Sequence, residues 1–356
     1  MRLATHYRQL DPDVPAAAHA AVARQHLAWL EQHARRSGYG SGNWETHLAA
    51  TVDQLVVHDK PLAYVLGTQP FFPLRVDLAV RPPILVPRPE TEHWVLHLSE
   101  TILAASSASA NEPFRIVDIG TGSGCIALAL SQSLLDGRRG VRGVETVAVD
   151  QSPLAVALAR ENVARTGLDE TVAVAQLDLF DPAFVDRVER VAVRGPTTCE
   201  EKEQGTGHGL GRGFDLVVSN PPYITRREFR RLDRSVRAWE DRRALLGEHP
   251  ATVDRDDNDD VDDDDDDDGL IFYRTTIDLL DRLLRPPPPP PPPDARERTA
   301  APLRLSSSSS RPPNVAFEVG QGQARRVVAL LDARGFDAEV VSDPWGVERA
   351  VFGWKR

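Results

Sequence analysis

The stretch Asn220-Pro221-Pro222-Tyr223 carries groups that could hold a planar amino group. An apolar run, residues 214–219, precedes it and predicts a buried strand, which the two prolines end because neither can donate to a ladder. The asparagine side-chain oxygen and a free backbone carbonyl can accept both hydrogens of an –NH2 group, and the tyrosine ring can lie against its plane. We interpret the stretch as a site for methyl transfer to an amide or amino nitrogen. The alternative is an ordinary turn at the end of a strand.

A second stretch, the glycine-rich run 120–124, predicts a cofactor cradle. It lies between an apolar run, 114–119, and an amphipathic stretch, 125–135, so strand, tight turn and helix start follow one another. The spacing Asp-x-Gly-x-Gly-x-Gly differs from the dinucleotide form, and it lacks the Lys-Ser/Thr of a phosphate loop. We therefore expect a cofactor with an amino-acid carboxylate and not a pyrophosphate; a purely structural glycine turn is the alternative. The candidate cofactor-binding residues of this stretch are Asp118, Gly120, Thr121, Gly122, Ser123 and Gly124.

Two more acids follow predicted strands. Asp150 ends the run 146–149, where a carboxylate can accept hydrogen bonds from both ribose hydroxyls. Asp178 follows the run 171–176 and is placed to receive an adenine amino group; a solvated loop acid is the alternative. We predict that both acids bind the cofactor.

Strands and helices are predicted to alternate from residue 114 onward, and the chain finishes on a hairpin made by 337–341 and 349–353. This order is typical of a doubly wound, mostly parallel α/β sheet with an antiparallel edge. Because the glycine loop and the Asn220 stretch both follow strands, both belong to the carboxyl edge of the sheet, where ligands bind. We expect them to face each other across one crevice.

The net charge of −11 comes from one segment. Residues 254–268 contain twelve aspartates and one arginine, so the rest of the chain is neutral and lacks the basic excess typical of nucleic-acid binding. We interpret this acidic run as a solvated loop and expect no metal site. Cys125 and Cys199 lie far apart and make neither a disulfide framework nor a metal box, which favours a reducing compartment. No apolar run approaches the length of a membrane span.

Composition divides the chain into two predicted domains. Residues 1–75 are rich in alanine and in leucine at helical spacing, which predicts a small helical domain. Residues 76–356 are predicted to form the catalytic domain. We expect disordered insertions at 190–212, 250–268 and 286–312, where polar, acidic or proline-rich sequence cannot bury apolar surface.

The motif from Asp118 to Gly124, the acid Asp150 and the stretch 220–223 resemble class I S-adenosylmethionine methyltransferases that act on nitrogen. Further stretches narrow the resemblance to peptide chain release factor glutamine methyltransferases. They are Pro-Arg-Pro-Glu-Thr-Glu at 87–92, Pro-Leu-Ala-Tyr-x-x-Gly at 61–67, and one motif that the acidic run splits into 240–247 and 268–274. The resemblance covers about residues 50–356, apart from the tracts.

The resemblance implies a class I methyltransferase fold with a seven-stranded sheet, S-adenosyl-L-methionine as cofactor, and a class I peptide chain release factor as protein partner. The substrate would be the glutamine of the factor's Gly-Gly-Gln motif, and the N-terminal helices would help to dock the factor. The family's binding positions carry over to Gly120–Gly124 and Asp150 for the cofactor. Its amide-binding positions carry over to Asn220, Pro221, Pro222 and Tyr223, with Asn220 also near the cofactor, and we expect Asn220, Pro221 and Tyr223 to be catalytic.

One position departs from the family, because Leu179 stands where an aromatic residue often follows the acid of the third strand. We also expect a monomer without direct nucleic-acid or membrane contact. The family's eukaryotic forms with this N-terminal domain act in mitochondria, and the long homopolymer tracts suggest a eukaryotic source, so we expect a mitochondrial protein, with the cytoplasm as the alternative.

Two other functions fit parts of the sequence. Adenine in DNA or RNA presents a similar planar –NH2 group, so an adenine amino-group methyltransferase is one alternative, and the neutral charge outside residues 254–268 argues against it. A non-enzymatic adaptor, which would bind basic partners through the acidic run, is the other. The intact cofactor and substrate motifs argue against this second alternative.

Overall fold

The computed structural model describes residues 2–10, 15–36, 44–105, 113–137, 143–191, 213–253, 268–286 and 311–356. The three predicted insertions, 190–212, 250–268 and 286–312, lie outside the described residues except at their margins, as does Cys199. Within the described ranges, no helix is long and apolar enough to cross a membrane.

The N-terminal part is helical. Its helices pack around a small apolar cluster that includes Leu3, Leu30, Leu55 and Val65. A two-stranded antiparallel ribbon follows. The elements are α1 (Arg2–Leu10), α2 (Ala16–Arg36), α3 (Trp44–Val56), α4 (Leu62–Leu66), β1 (Thr68–Gln69) and β2 (Leu78–Ala79). The division of the chain at residue 75 stays a prediction.

The rest of the described chain forms one layered α/β unit. The elements are α5 (Pro89–Ala105), β3 (Phe114–Ile119), α6 (Cys125–Gly137), β4 (Val144–Asp150), α7 (Pro153–Thr166), β5 (Val172–Gln176), α8 (Phe184–Glu189), β6 (Leu216–Ser219), α9 (Arg226–Phe229), α10 (Arg234–Trp239), α11 (Ile271–Leu283), β7 (Val315–Glu318), α12 (Ala324–Asp332), β8 (Phe336–Ser342) and β9 (Glu348–Lys355).

Seven strands form the sheet, in the order β5-β4-β3-β6-β7-β9-β8. The first five are parallel to their neighbours, and β9 runs antiparallel to both β7 and β8. This is the class I methyltransferase fold, so the predicted doubly wound sheet with an antiparallel C-terminal hairpin is confirmed.

Helices cover both faces of the sheet, which explains why its central strands read as continuous apolar runs. On one face Trp94 and Leu98 of α5 pack in the same cluster as Leu128 of α6. On the other, Ile277 of α11 and Val327 of α12 pack in a second cluster. All four residues of β6 and of β7 are therefore buried, as expected for parallel strands covered on both sides.

The register of the central strands brings three connections to one edge. Ile119 of β3 pairs with Ser219 of β6, and Ser219 pairs with Phe317 of β7. The next residues after β3 and β6, Gly120 and Asn220, therefore leave the sheet side by side at its carboxyl edge, next to Glu318, the last residue of β7.

Two stretches form only short elements. The basic segment from Arg226 to Arg237 contains the helices α9 and α10, which are separated where Asp233 adopts an extended backbone (ψ 144°). Between Val76 and Val86 the strand is β2, which pairs with β1.

The two described residues that border the acidic run are both fixed. Val253 is buried with Phe229 and Leu245 in a small apolar cluster. Asp268 pairs with Arg274 and Arg326. The chain thus leaves and re-enters the described fold at two well-held positions.

Candidate active site

The glycine loop between β3 and α6 takes its shape from left-handed backbone. Gly120 has φ 73° and Gly122 has φ 56°, values that favour glycine. A Cβ at either position would meet nothing within 4 Å, so both residues face open space in which a ligand can approach the backbone. The Gly120 and Thr121 amides donate to the Val149 carbonyl at 2.9 Å, which fixes the loop on β4.

Asp118 holds this loop from below. Its carboxylate is fully buried and accepts hydrogen bonds from the Thr121 hydroxyl at 2.7 Å and the Ala127 amide at 3.2 Å. Burial raises the pKa of Asp118 to about 7. The carboxylate therefore supports the loop and the start of α6 from inside the core.

Asp150, at the end of β4, links the loop to the start of α7. One carboxylate oxygen accepts from the Gly122 amide at 2.9 Å and the other from the Ser152 amide at 2.8 Å. Burial raises the pKa of this carboxyl group, and the two amide hydrogen bonds lower it. Since a carboxylate oxygen has two lone pairs, each can accept one further hydrogen bond, which is what a ribose diol requires.

An exposed acid and an apolar slot stand next to Asp150. Asp178 accepts a hydrogen bond from the Phe180 amide at 2.9 Å and keeps its other oxygen towards solvent. Leu177, Leu179 and Phe272 line the adjoining cavity wall. Phe180 packs edge-on against Phe272, with ring centroids 5.2 Å apart. The aromatic ring missing at Leu179 is thus matched by Phe272 of α11, which comes from a distant part of the sequence.

The glycine loop and the Asn220 stretch line the same cavity, of about 240 Å³. This is the crevice that the sequence predicted. Nine of the predicted site residues stand on its wall: Gly120, Thr121, Gly122, Ser123, Asp150, Asp178, Asn220, Pro221 and Pro222.

Three predicted site residues are absent from the lining formed by the described residues. Asp118 is buried beneath the loop, and Gly124 faces Leu128 and Ala159. Tyr223 lies behind the wall, where its backbone carbonyl accepts from the Gln323 side chain at 2.9 Å. Their predicted contacts with ligands stay predictions.

Asn220 leaves β6 at the cavity wall and is half-buried. Within the described part of the chain, its side-chain amide makes no hydrogen bond. Pro221 is buried and holds the chain extended. The cavity wall therefore contains a residue with a side-chain amide oxygen, Asn220, next to two prolines that limit the flexibility of the loop.

No site role was predicted from the sequence for the residues on the other wall of the cavity. Arg88 lines the cavity and donates to both oxygens of the Glu240 carboxylate, at 2.6 and 2.7 Å. Burial raises the pKa of Glu240, and Arg88 lowers it. Asp241 and Arg243 line the cavity beside this pair. The motifs 87–92 and 240–247 were both visible in the sequence, but only the fold shows that they meet.

Comparisons with known proteins agree with this geometry. The release factor glutamine methyltransferase of Chlorobaculum tepidum is 35% identical over 187 residues, which are 52% of this chain and 53% of the relative. The mitochondrial MRF1 N(5)-glutamine methyltransferase MTQ1 of Saccharomyces cerevisiae is 32% identical over 189 residues, 53% of this chain and 50% of the relative. The MTRF1L release factor glutamine methyltransferase of Homo sapiens is 31% identical over 189 residues, 52% of this chain and 47% of the relative.

The chain is similar to the release factor glutamine methyltransferases. The resemblance predicted from the sequence motifs is thus confirmed. The chain spans about half the length of the curated relatives that it matches. Residues 95–188 also match the family described as ribosomal protein L11 methyltransferase (PrmA). That match runs from α5 to α8, so it includes the glycine loop and Asp150 but not Asn220.

Proposed function

We propose that this protein transfers a methyl group from S-adenosyl-L-methionine to the side-chain amide nitrogen of a glutamine. The glutamine would be that of the Gly-Gly-Gln motif in a class I peptide chain release factor, and the modification would support translation termination. The observation that carries the proposal is that Asn220 and Pro221 share one cavity with the glycine loop and Asp150. A cofactor cradle and an amide-accepting loop are the two parts that such a transfer needs.

The described residues fit this cofactor. Gly120 and Gly122 leave space at their Cα atoms, Asp150 offers lone pairs for two hydroxyls, and Asp178 offers an oxygen at the end of an apolar slot. When bound, S-adenosylmethionine supplies a methyl group activated by a sulfonium. The loop amides and the two carboxylates would hold it, in keeping with their predicted roles.

Asn220 and the Pro221 carbonyl would hold the substrate. Their oxygens accept both amide hydrogens of the glutamine side chain, which fixes the plane and the direction of its nitrogen. An amide nitrogen is a weak nucleophile because its lone pair is delocalised, so orientation is the main contribution that the chain can make. The same two acceptors would stabilise the N–H groups as positive charge develops on the nitrogen.

The partner and the compartment follow from the relatives and remain part of the proposal. Relatives from yeast and human carry names that refer to the release factors MRF1 and MTRF1L, and the yeast name refers to mitochondria. We therefore place this protein in mitochondria, as a monomer that docks a release factor through its N-terminal helices. Direct binding to nucleic acid or a membrane has no part in this function.

The decisive experiment replaces Asn220 by alanine. We expect methylation of a release factor to fall by at least about 100-fold, because the amide loses its main orienting acceptor. Binding of S-adenosylmethionine, measured by isothermal titration calorimetry, should stay within about twofold of wild type. The control is Gln132→Ala on the outer surface of α6, where the side chain bonds only to Asp136 in the described chain. Near-normal turnover by the Asn220 variant would end the proposed role.

The same assay separates the adenine alternative. A Gly-Gly-Gln protein and an adenine-containing oligonucleotide are offered to the wild-type enzyme with radiolabelled cofactor. Label on the protein glutamine supports the proposal. Label on the oligonucleotide alone would replace it with the adenine reaction.

A further inference from the structure

The connection between β7 and α12 holds the Asn220–Tyr223 loop from behind. Gln323 donates from its side-chain nitrogen to the Tyr223 carbonyl at 2.9 Å, and its side-chain oxygen accepts from the Gly320 amide at 3.1 Å. Gln323 is 7% exposed, so these bonds are shielded from water. One buried amide thus ties the Tyr223 backbone to the start of α12.

The Glu318 carboxylate is a charged neighbour of the same tyrosine. Burial, together with this nearby negative charge, raises the pKa of the Tyr223 hydroxyl. The carboxylate also accepts from the Thr91 hydroxyl at 2.6 Å and from the Trp94 indole at 2.7 Å. Thr91 lines the cavity, so Glu318 connects the Tyr223 loop to the opposite wall.

Two glycines make the fit close enough to position the loop. A Cβ at Gly320 would lie 2.9 Å from the Tyr223 ring and 2.8 Å from the Gln323 side chain. A Cβ at Gly269 would lie 2.3 Å from the Tyr223 carbonyl oxygen. Neither position has room for a side chain, so ring and carbonyl are both fixed by contact as well as by hydrogen bonds.

The buried carboxylate of Glu318 is costly to keep inside the fold. A charged group in the interior is retained only when its partners compensate for lost water, and the Glu318 carboxylate accepts hydrogen bonds from two donors, Thr91 and Trp94. Tyr273 adds a hydrogen bond of 2.8 Å from its hydroxyl to the Glu318 backbone carbonyl. All of these contacts converge on the strand end beside Asn220, since β6 and β7 are paired neighbours.

We propose that Glu318 and Gln323 are positioning residues, which act through Tyr223 to hold Asn220 and Pro221 in the geometry that accepts a planar carboxamide. This inference rests on the proposed function. It assigns Tyr223 to the support of the loop, where the sequence predicted contact with the substrate. It also predicts that Glu318 and Gln323 affect the turnover rate but not the affinity for the cofactor, which binds at the other side of the cavity.

The test uses two variants. Gln323→Met keeps the size of the side chain and removes its hydrogen bonds to Tyr223, Gly320 and Asp268. Glu318→Gln removes the charge. Matched controls are Gln132→Met on α6 and Glu339→Gln on the exposed side of β8. For the two test variants, we expect kcat on a release factor to fall by about 10- to 100-fold while KM for the factor stays within about twofold. The stoichiometry and affinity of S-adenosylmethionine binding should match the controls, which excludes a loss of folded enzyme.

A second measurement needs no substrate. Hydrogen exchange at residues 223–226 should accelerate at least about tenfold in both test variants and stay unchanged in both controls. The double variant Tyr223→Phe with Glu318→Gln should lose no more kcat than the worse of its two single variants, because both remove the same contact.

The outcomes separate the two proposals. If wild-type protein methylates no glutamine but exchange at 223–226 still accelerates in the variants, the proposed function fails and the anchoring of the loop stands. If the test variants match their controls in both exchange and kcat, the positioning role is wrong. Equal losses of cofactor affinity and kcat would also overturn it, since they would indicate a general structural role.

Discussion

The two sides of the cavity are built in different ways. Apart from Phe272, the cofactor side comes from one continuous stretch, residues 114–179, in which three adjacent parallel strands each contribute a loop. The amide side gathers short segments from across the chain, and its contacts join residues 100, 152 and 227 positions apart: Tyr223 with Gln323, Arg88 with Glu240, and Thr91 with Glu318. Local backbone conformation shapes the first side, and long-range side-chain contacts shape the second. Substitutions on one side of the cavity should therefore have effects distinct from substitutions on the other side.

The largest effect should come from the buried acid on the cofactor side. The pKa of Asp118 is about 7 in the fold against 3.8 as its ordinary value. Because this pKa is higher in the folded than in the unfolded protein, Asp118 contributes stability that is fully present below about pH 4 and is lost as the pH rises to about 7. The free energy of unfolding should fall over this range by an amount on the order of 4 kcal/mol. Urea unfolding of wild type and Asp118→Asn should show this decline in wild type and a flatter profile in the variant. Parallel profiles would show that Asp118 does not titrate in this range.

The amide side has a buried acid with an arginine partner, which allows a direct comparison. Arg88→Met leaves Glu240 without its cation while the Glu240 side chain stays 1% exposed. We expect a loss of about 2–3 kcal/mol, less than for a fully buried pair because Arg88 is 35% exposed. Loss of the arginine should raise the pKa of Glu240 further, so the deficit should grow as the pH rises. Adding Glu240→Gln to Arg88→Met should restore much of the lost stability at neutral pH. If the double variant is as unstable as Arg88→Met alone, the pairing of Arg88 with Glu240 is not the cause of the loss.

A moderate effect should follow from a single methyl group in the glycine loop. Gly122→Ala puts a Cβ into the space that faces the cofactor and strains a backbone with φ 56°. We expect cofactor affinity to fall about 10- to 100-fold, as for the loss of one or two good hydrogen bonds. Gly167→Ala is the matched control, because Gly167 has φ 71°, has open space at its Cα and caps α7. Calorimetry should show similar losses of stability in both variants but weaker cofactor binding in only the first.

The smallest effect concerns the link between the N-terminal helices and the amide side. The Trp239 indole donates to the His58 carbonyl at 2.9 Å. Trp239→Phe keeps the ring packing and removes this bond, so we expect a loss of about 1 kcal/mol in thermal unfolding. Cofactor affinity should not change, since Trp239 belongs to the amide side. A drop in cofactor affinity would show that the two sides are coupled through this segment.

The cofactor side could be predicted almost completely from the sequence. Strand, glycine loop and helix are consecutive there, so periodicity and spacing identify Gly122 and Asp150 without knowledge of the fold. The acid Asp178 was placed by the same reasoning. The position of Phe272 could not be predicted, because this residue comes from α11 and only the folded sheet brings it to the same cavity as Leu179.

The amide side was predicted only at Asn220 and its prolines, which follow a readable strand. The pairing of Arg88 with Glu240 depends on chain paths between distant segments, and no local pattern encodes it. Glu318 ends β7, and its burial follows from the packing of α5 against the end of that strand.

The fixed positions of Val253 and Asp268 have a practical consequence. A loop whose two ends are held by the fold tolerates changes of length at little thermodynamic cost, since doubling a loop adds only about 0.6 kcal/mol of closure entropy. An affinity tag or a fluorescent reporter inserted between Val253 and Asp268 should therefore be tolerated, because both positions are held by the fold.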